Sequence, residues 1–464
     1  MKAHILPAIV ICMAASSAYA QSLSSYSANT VPIAGTLSAA FGSGALAANT
    51  AASNTAVGYN VLNKNTSGGQ NTGIGRSALF NNVIGDANTA VGAYSLYNST
   101  SDSNTAVGRY ALYSNTTGSM NTAIGVNALS SSTNQGFSTA VGFRALASNT
   151  SGSNNTATGT NALAENISGN LNTANGAVAL RDNTEGSQNT AMGAGTLVLN
   201  TTGDNNTAMG RSALQNNKTG SNNSACGVYA LLANTGGNDN TAMGFNALND
   251  NTSGERNTAN GTSALSSNTS GFGNGGVGYA ALYLNKTGNN NTAMGDSAGY
   301  KSLGNGNIYL GNKAGFNETG SNKLYIANNI TSTTIYADMG TGQVLIGNPD
   351  PTGYSFKGSR KLNVLGGIIT DSVRVALSAG WADYVFAEDY QLQSQADLEN
   401  YIRTNKHLPN MPAGGEVKEQ GIELGAMNAK LLEKIEELTL YMLQQQKDIA
   451  LLQQEIKLMK QAGK

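Results

Sequence analysis

One pentad, of the form N-T-A-x-G, recurs along this chain at almost every seventeenth position. It opens at Asn54, Asn71, Asn88, Asn104, Asn121, Ser138, Asn155, Asn172, Asn189, Asn206, Asn223, Asn240, Asn257, Asn274 and Asn291. The step from Asn88 to Asn104 alone is one shorter, and a weaker copy, Asn307-Ile308-Tyr309-Leu310-Gly311, follows Asn291 after another shortened step. A fixed period of this length is the signature of a solenoid, in which each coil buries its inner face against its neighbours.

Other positions keep step with the pentad. A Leu lies four residues after the pentad Gly, from Leu62, Leu79 and Leu96 to Leu282, and Ala usually precedes it. A second Asn falls eleven residues after the first, as at Asn65, Asn82, Asn115, Asn149 and Asn166, and a Gly fourteen after it, as at Gly68, Gly85, Gly118 and Gly152. Thr with Val, Ile or Met in the pentad favours a short strand, and the two glycines are expected to supply φ > 0 turns. Equivalent Asn residues then stack about 4.8 Å apart and hydrogen-bond along the axis as ladders. No proline occurs between Pro32 and Pro349, as a chain that donates its N–H groups coil after coil requires.

Composition agrees. Charged residues make up 11% of the chain and Gly numbers 57, which suits tightly packed small side chains. The net charge of -1 offers no footprint for nucleic acid. Ala beside a single Leu makes a thin interior, and the fourth pentad position holds Val57, Ile74, Val91 and Ile124 but also Thr158, Asn175 and Asn260. A buried position would not accept those Asn residues cheaply, so this one is assigned to an interface between chains.

At the N-terminus, Lys2, the apolar run Ile5 to Ala15 and Ala18-Tyr19-Ala20 form a secretory signal, with the mature chain expected to begin at Gln21. Cys226 then remains as the single cysteine, and as an occupant of the variable pentad slot it is expected to be a small buried hydrophobe. The expected layout is a signal peptide over 1–20, an N-terminal cap region over 21–53 and a solenoid over 54–315. A β-rich neck over 316–380, a small module over 381–423 and a coiled coil over 424–461 follow. In the coiled coil, Leu424, Leu431, Leu438, Gln445, Leu452 and Met459 take d; Asn428, Ile435, Met442, Ile449 and Ile456 take a. The fold class is therefore an all-β parallel β-solenoid, or β-roll, followed by a short β-rich transition and a C-terminal α-helical coiled coil.

Pentads such as Asn54-Thr55-Ala56-Val57-Gly58 and Asn121-Thr122-Ala123-Ile124-Gly125 resemble the head repeat of trimeric autotransporter adhesins, the YadA-like head. The resemblance covers residues 50 to 315 and implies a left-handed β-roll with three chains side by side and a role in adhesion. The coil here is longer than that family's, and the family's outer-membrane β-barrel anchor is not expected in this chain. The tail resembles the C-terminal module of bacterial tail-fibre proteins, at the place of the tailspike-type intramolecular chaperone. That family's S-D-x-R-L-K cleavage motif does not match Thr370-Asp371-Ser372-Val373-Arg374, so the coiled coil is expected to stay attached.

No catalytic, cofactor-binding or metal-binding residue is assigned. His407 is the one histidine of the mature chain, beside the turn proline Pro409, and no Cys or His pair has metal-ligand spacing. Sequons such as Asn65-Thr66-Ser67 and Asn149-Thr150-Ser151 fall out of the repeat itself. Tyr59, Tyr94, Tyr97, Tyr110, Tyr113, Tyr229, Tyr279 and Tyr283 are the candidate contact aromatics. The expected function is a secreted or cell-surface structural or adhesive fibre, non-catalytic, the head or stalk of a homotrimer with an unknown surface ligand. The alternative is a phage-derived tail-fibre receptor-binding protein. Ile at a with Leu at d favours two strands, Asn428, Gln445, Met442 and Met459 blur that rule, and the family resemblances imply three.

Overall fold

Within each pentad, Thr and the residue at the fourth position extend the backbone, and the Gly that follows ends the strand. In the computed structural model, which describes residues 37–347, 356, 360–375 and 381–463, every pentad from Asn54 to Asn291 forms a three-residue strand. The series opens with β1 (Ala39–Phe41) and β2 (Thr55–Val57), and runs to β16 (Thr292–Met294), β17 (Ile308–Leu310) and β18 (Lys323–Ala327). Successive strands pair in parallel without a shift. Ala40 lies beside Ala56, Ala191 beside Ala208 and Met294 beside Leu310, so residues of one repeat position form columns. At about 4.8 Å per step, the stack from β1 to β18 is about 80 Å long. The parallel β-solenoid expected from the period is what the chain forms.

The strand's central Ala points inward, and the following turn contributes an Ala and the Leu; Ala123, Ala128 and Leu129 are all 0% exposed. The Leu is held in the left-handed region, at φ 49 in Leu62 and φ 50 in Leu129 and Leu180. For an L-residue this costs roughly 1–2 kcal/mol, against about 1.5–3 kcal/mol from burying the side chain. The apolar gain per coil is therefore small, and contacts between coils carry the rest.

Those contacts are two Asn ladders. In the pentad ladder, the Asn54 side-chain oxygen accepts the Asn71 backbone N–H at 2.9 Å, while its amide donates to the Gly68 carbonyl at 2.8 Å. In the second, Asn82 donates to Asn65 Oδ1 at 3.0 Å and Asn200 to Asn183 Oδ1 at 2.7 Å, each amide also reaching the carbonyl of the Gly three residues on. This Gly corrects the expectation of a φ > 0 turn. Gly68, Gly85 and Gly118 do not have left-handed φ; they are glycine because of close approach. A β-carbon at Gly118 would lie 2.5 Å from Asn115 Oδ1. Where the ladder Asn becomes Ser99 or Ser132, the Gly place holds Ser101 or Gln135.

The solenoid extends beyond the pentads that the period locates. Ahead of Asn54, Ser38-Ala39-Ala40-Phe41-Gly42 builds one more coil within the region read as the N-terminal cap. At the other end, β18 stacks in parallel on β17, inside the region read as the neck. There the core changes hands. Tyr309 replaces the strand Ala, and Gly299 and Gly315 replace Leu on either side of its ring. Tyr309, Tyr325, Tyr336 and Phe356 continue as a ring column at 5.9, 5.0 and 6.0 Å. β19 (Thr333–Asp338) and β20 (Gln343–Ile346) pair antiparallel over this column, and β21 (Leu362–Val364) pairs with β20 in parallel.

The chain divides at Gly366 and Gly367 into two units. The second holds a 3-10 helix (Ala382–Phe386), α1 (Gln395–Asn405), α2 (Gly414–Gln420) and α3 (Leu424–Ala462). Ser394 caps α1, its hydroxyl accepting the Asp397 N–H at 3.2 Å, and Lys406 at φ 61 ends it. Ala382 and Val385 are buried within this unit, as are Gly425, Ala429, Glu433 and Glu436 on α3. The helix expected over 424–461 is present, as one continuous element. The signal peptide and the new N-terminus at Gln21 lie outside the described residues.

Candidate functional site

Strand alternation fixes what each coil shows to solvent. Ala points in, and Thr and the fourth pentad residue point out on the same face. Val57 is 37% exposed, Ile74 40% and Met243 48%, giving a long column of half-exposed apolar side chains along the stack. Thr158, Asn175 and Asn260 are exposed in the same column, which is why Asn is tolerated there. Cys226 corrects its expected burial. It sits in this outward column and is exposed, while the neighbouring Ala225 fills the interior. The repeat locates the slot but not its direction.

The aromatic residues form axial stacks. Phe80, Tyr97 and Tyr113 stack at 5.2 and 5.4 Å, and Tyr94 stacks on Tyr110 at 5.3 Å. Lys64, Arg76 and Arg109 sit over Phe80, Tyr94 and Tyr110 at 5.2, 5.6 and 4.7 Å. Near the far end, Tyr283, Tyr300 and Phe316 stack at 5.1 and 4.8 Å. Ring faces are thus occupied by neighbouring coils or by cations, and ring edges meet the surroundings. Tyr229 meets Phe245 edge to face at 6.2 Å, while Tyr59 and Tyr279 are exposed. Phe80, Tyr300 and Phe316 are members of the stacks that the sequence reading missed. The signal for them was present: all lie nine residues after a pentad start, the position that also holds Tyr97, Tyr113 and Tyr283.

The second unit holds a clamp of hydrogen bonds and ion pairs. The Tyr384 hydroxyl donates to Glu433 at 2.6 Å, Tyr390 donates to Glu437, and Lys434 bridges both carboxylates at 2.7 and 2.8 Å. Burial pushes the Glu433 carboxyl up, but hydrogen bonds from Lys434, Tyr384 and Asn410 hold it below its ordinary range. The hydrogen bond to Glu433 pushes Tyr384 up to about 12. On α3, Leu431, Ile435, Leu438, Met442, Ile449, Leu452, Ile456 and Met459 are 43 to 65% exposed. This a/d strip lies apart from the Gly425, Ala429, Glu433 and Glu436 side that the unit itself buries.

His407 is half-buried, with Nδ1 2.9 Å from the Leu408 carbonyl and its ring edge-on to Tyr401 at 5.8 Å. Among the described residues, no group of three or more His, Cys, Asp or Glu could hold a metal ion. Nor is any helix among them long and apolar enough to cross a membrane. The sequon residues Asn65, Asn115 and Asn149 are 0% exposed, their amides committed to the interior. No family model matches the chain, and neither does any curated protein or solved structure.

Proposed function

We propose that this protein is an exported, non-catalytic structural or adhesive fibre of the cell surface, the head or stalk of a homotrimer that contacts a surface ligand. The observation that carries this reading is the uninterrupted parallel stack from β1 to β18, in which one coil design is repeated with the same ladders. Such a stack is a spacer that carries its own axial hydrogen bonding, and its length scales with coil number. The a/d strip on α3 supports association, since a strip of that spacing is the seam of a coiled coil. The outward apolar column of the solenoid supplies a second lateral contact.

The test is location. Antibody raised against the solenoid should label intact cells, external protease should remove the signal, and the recovered chain should begin at Gln21. Recovery only from the cytoplasm with Met1 retained contradicts export. Recovery in phage-like particles would instead support a receptor-binding tail fibre.

A further inference from the structure

The outward column changes character midway along the solenoid. After Phe41 its coils carry Val57, Ile74, Val91, Val107, Ile124 and Val141, followed by Thr158 and Asn175. Four successive coils then carry sulfur: Met192, Met209, Cys226 and Met243. Met192 pairs with Met209, Met209 with Cys226, and Cys226 with Met243, in unshifted parallel register. Met192, Met209 and Met243 are 43, 42 and 48% exposed, and Cys226 is exposed. Because Val and Ile serve this place elsewhere, the fold does not itself require four sulfurs in a row.

We propose that Met209, Cys226 and Met243 bind one soft monovalent metal ion, Cu(I), within a single chain. Thiolate and thioether donors together select Cu(I) over harder divalent ions. Unshifted register places the three residues on adjacent strands about 4.8 Å apart, with their side chains on the same outward face. The long, unbranched Met side chains on both sides of Cys226 can also turn inward to complete a three-coordinate site. Binding exchanges the Cys226 proton for the metal: the S–H bond is lost to solvent as H⁺, a Cu–S bond forms, and no electron moves. All three ligands come from one chain, so each copy carries a complete set of donors on the column that the proposed fibre also uses for lateral contact.

The experiment titrates the full exported protein, reduced with ascorbate under anaerobic conditions, with Cu(I) in competition with bicinchoninate. One Cu(I) per chain is expected, unaffected by Zn(II). C226S and the double substitution M209L/M243L should each weaken binding by no less than the roughly 10- to 100-fold that loss of an outer-shell partner costs. Met294 lies on the same column between Val277 and Leu310, so M294L should leave binding unchanged. All these side chains point outward, and circular dichroism checks that each variant keeps its fold. No stoichiometric binding, equal affinity in M209L/M243L, or one metal per three chains would each overturn the intrachain site.

Discussion

The exchange of Leu for Tyr at the end of the solenoid makes a sharp prediction, because restoring the repeat there should do harm. Gly299 occupies the position that Leu282 holds one coil earlier, and a β-carbon on it would meet Tyr309 Cε2 at 2.6 Å and Leu282 Cδ2 at 3.0 Å. G299L therefore overpacks the core, at a cost of about 1–3 kcal/mol or more. Y309A removes a fully buried ring and its 3.0 Å hydrogen bond to Ser302, at a cost of about 3–5 kcal/mol. Combined, the new Leu enters the space the ring vacates, as in the preceding coils, although the gap beside Gly315 stays unfilled. The double variant should recover about 2 kcal/mol relative to the sum of the two single losses. Because a long stack opens locally, hydrogen exchange is the suitable assay. The Gly299 N–H donates to Ala314 at 2.8 Å and the Gly311 N–H to Met294 at 2.8 Å, and both report on this coil. Protection of these amides should fall in each single variant and return in part in the double. Strictly additive losses would refute the volume exchange.

The Leu column and the outward position six residues after the pentad start should differ in the same way: L163D should melt the local coils, at a cost of several kcal/mol for a buried unpaired carboxylate, and N161D should not. Equal melting temperatures of the two would reject the core assignment. Asn115 Oδ1 and Ser132 Oγ are buried without partners, and S132N would supply the missing rung only if Q135G removes the clashing β-carbon. The double variant should gain about 1–3 kcal/mol, S132N alone should lose stability, and a stabilised S132N measured by thermal melting would contradict the coupling. In the second unit the lowered Glu433 carboxyl contributes stability that is present above the ordinary carboxylate value of about 4.3 and is lost as pH falls through its lowered one. The raised Tyr384 contributes stability present below about 10 and lost as pH climbs toward 12. Trp381, the only tryptophan, adjoins this clamp, and its emission should shift at both extremes; an unchanged emission from pH 7 to 3 would count against the acid limb.

What the sequence made legible was whatever repeats. The period, the parallel coils, the inward Leu and the stacked Asn residues all follow from positions such as Leu62, Leu79, Asn65 and Asn82. The coil at Ser38 escapes the pattern because Ala39 and Phe41 replace Thr and Val, and because its step to Asn54 falls one short of the period. Properties that depend on two positions at once were not legible. Gly118 reads as a turn residue until the approach of Asn115 is seen, and Gly299 reads as a lost Leu until Tyr309 is placed beside it. Cys226 is misread for a simpler reason: in a three-residue strand the inward and outward positions are neighbours, and a column mixing Val with Asn also reads as a buried contact. The ends of the aromatic stacks, Phe80 and Phe316, differ in residue type from Tyr97 and Tyr300, and only the shared offset links them.

A chain that works as an assembled fibre has the mass of its assembly in solution, which light scattering on the exported protein measures. Three times the chain mass is predicted at micromolar concentration, falling toward a single chain when the protein is truncated before Leu424. A stable monomer or dimer of the intact chain would contradict the trimer, and with it the reading of α3 and the outward column as contacts between copies.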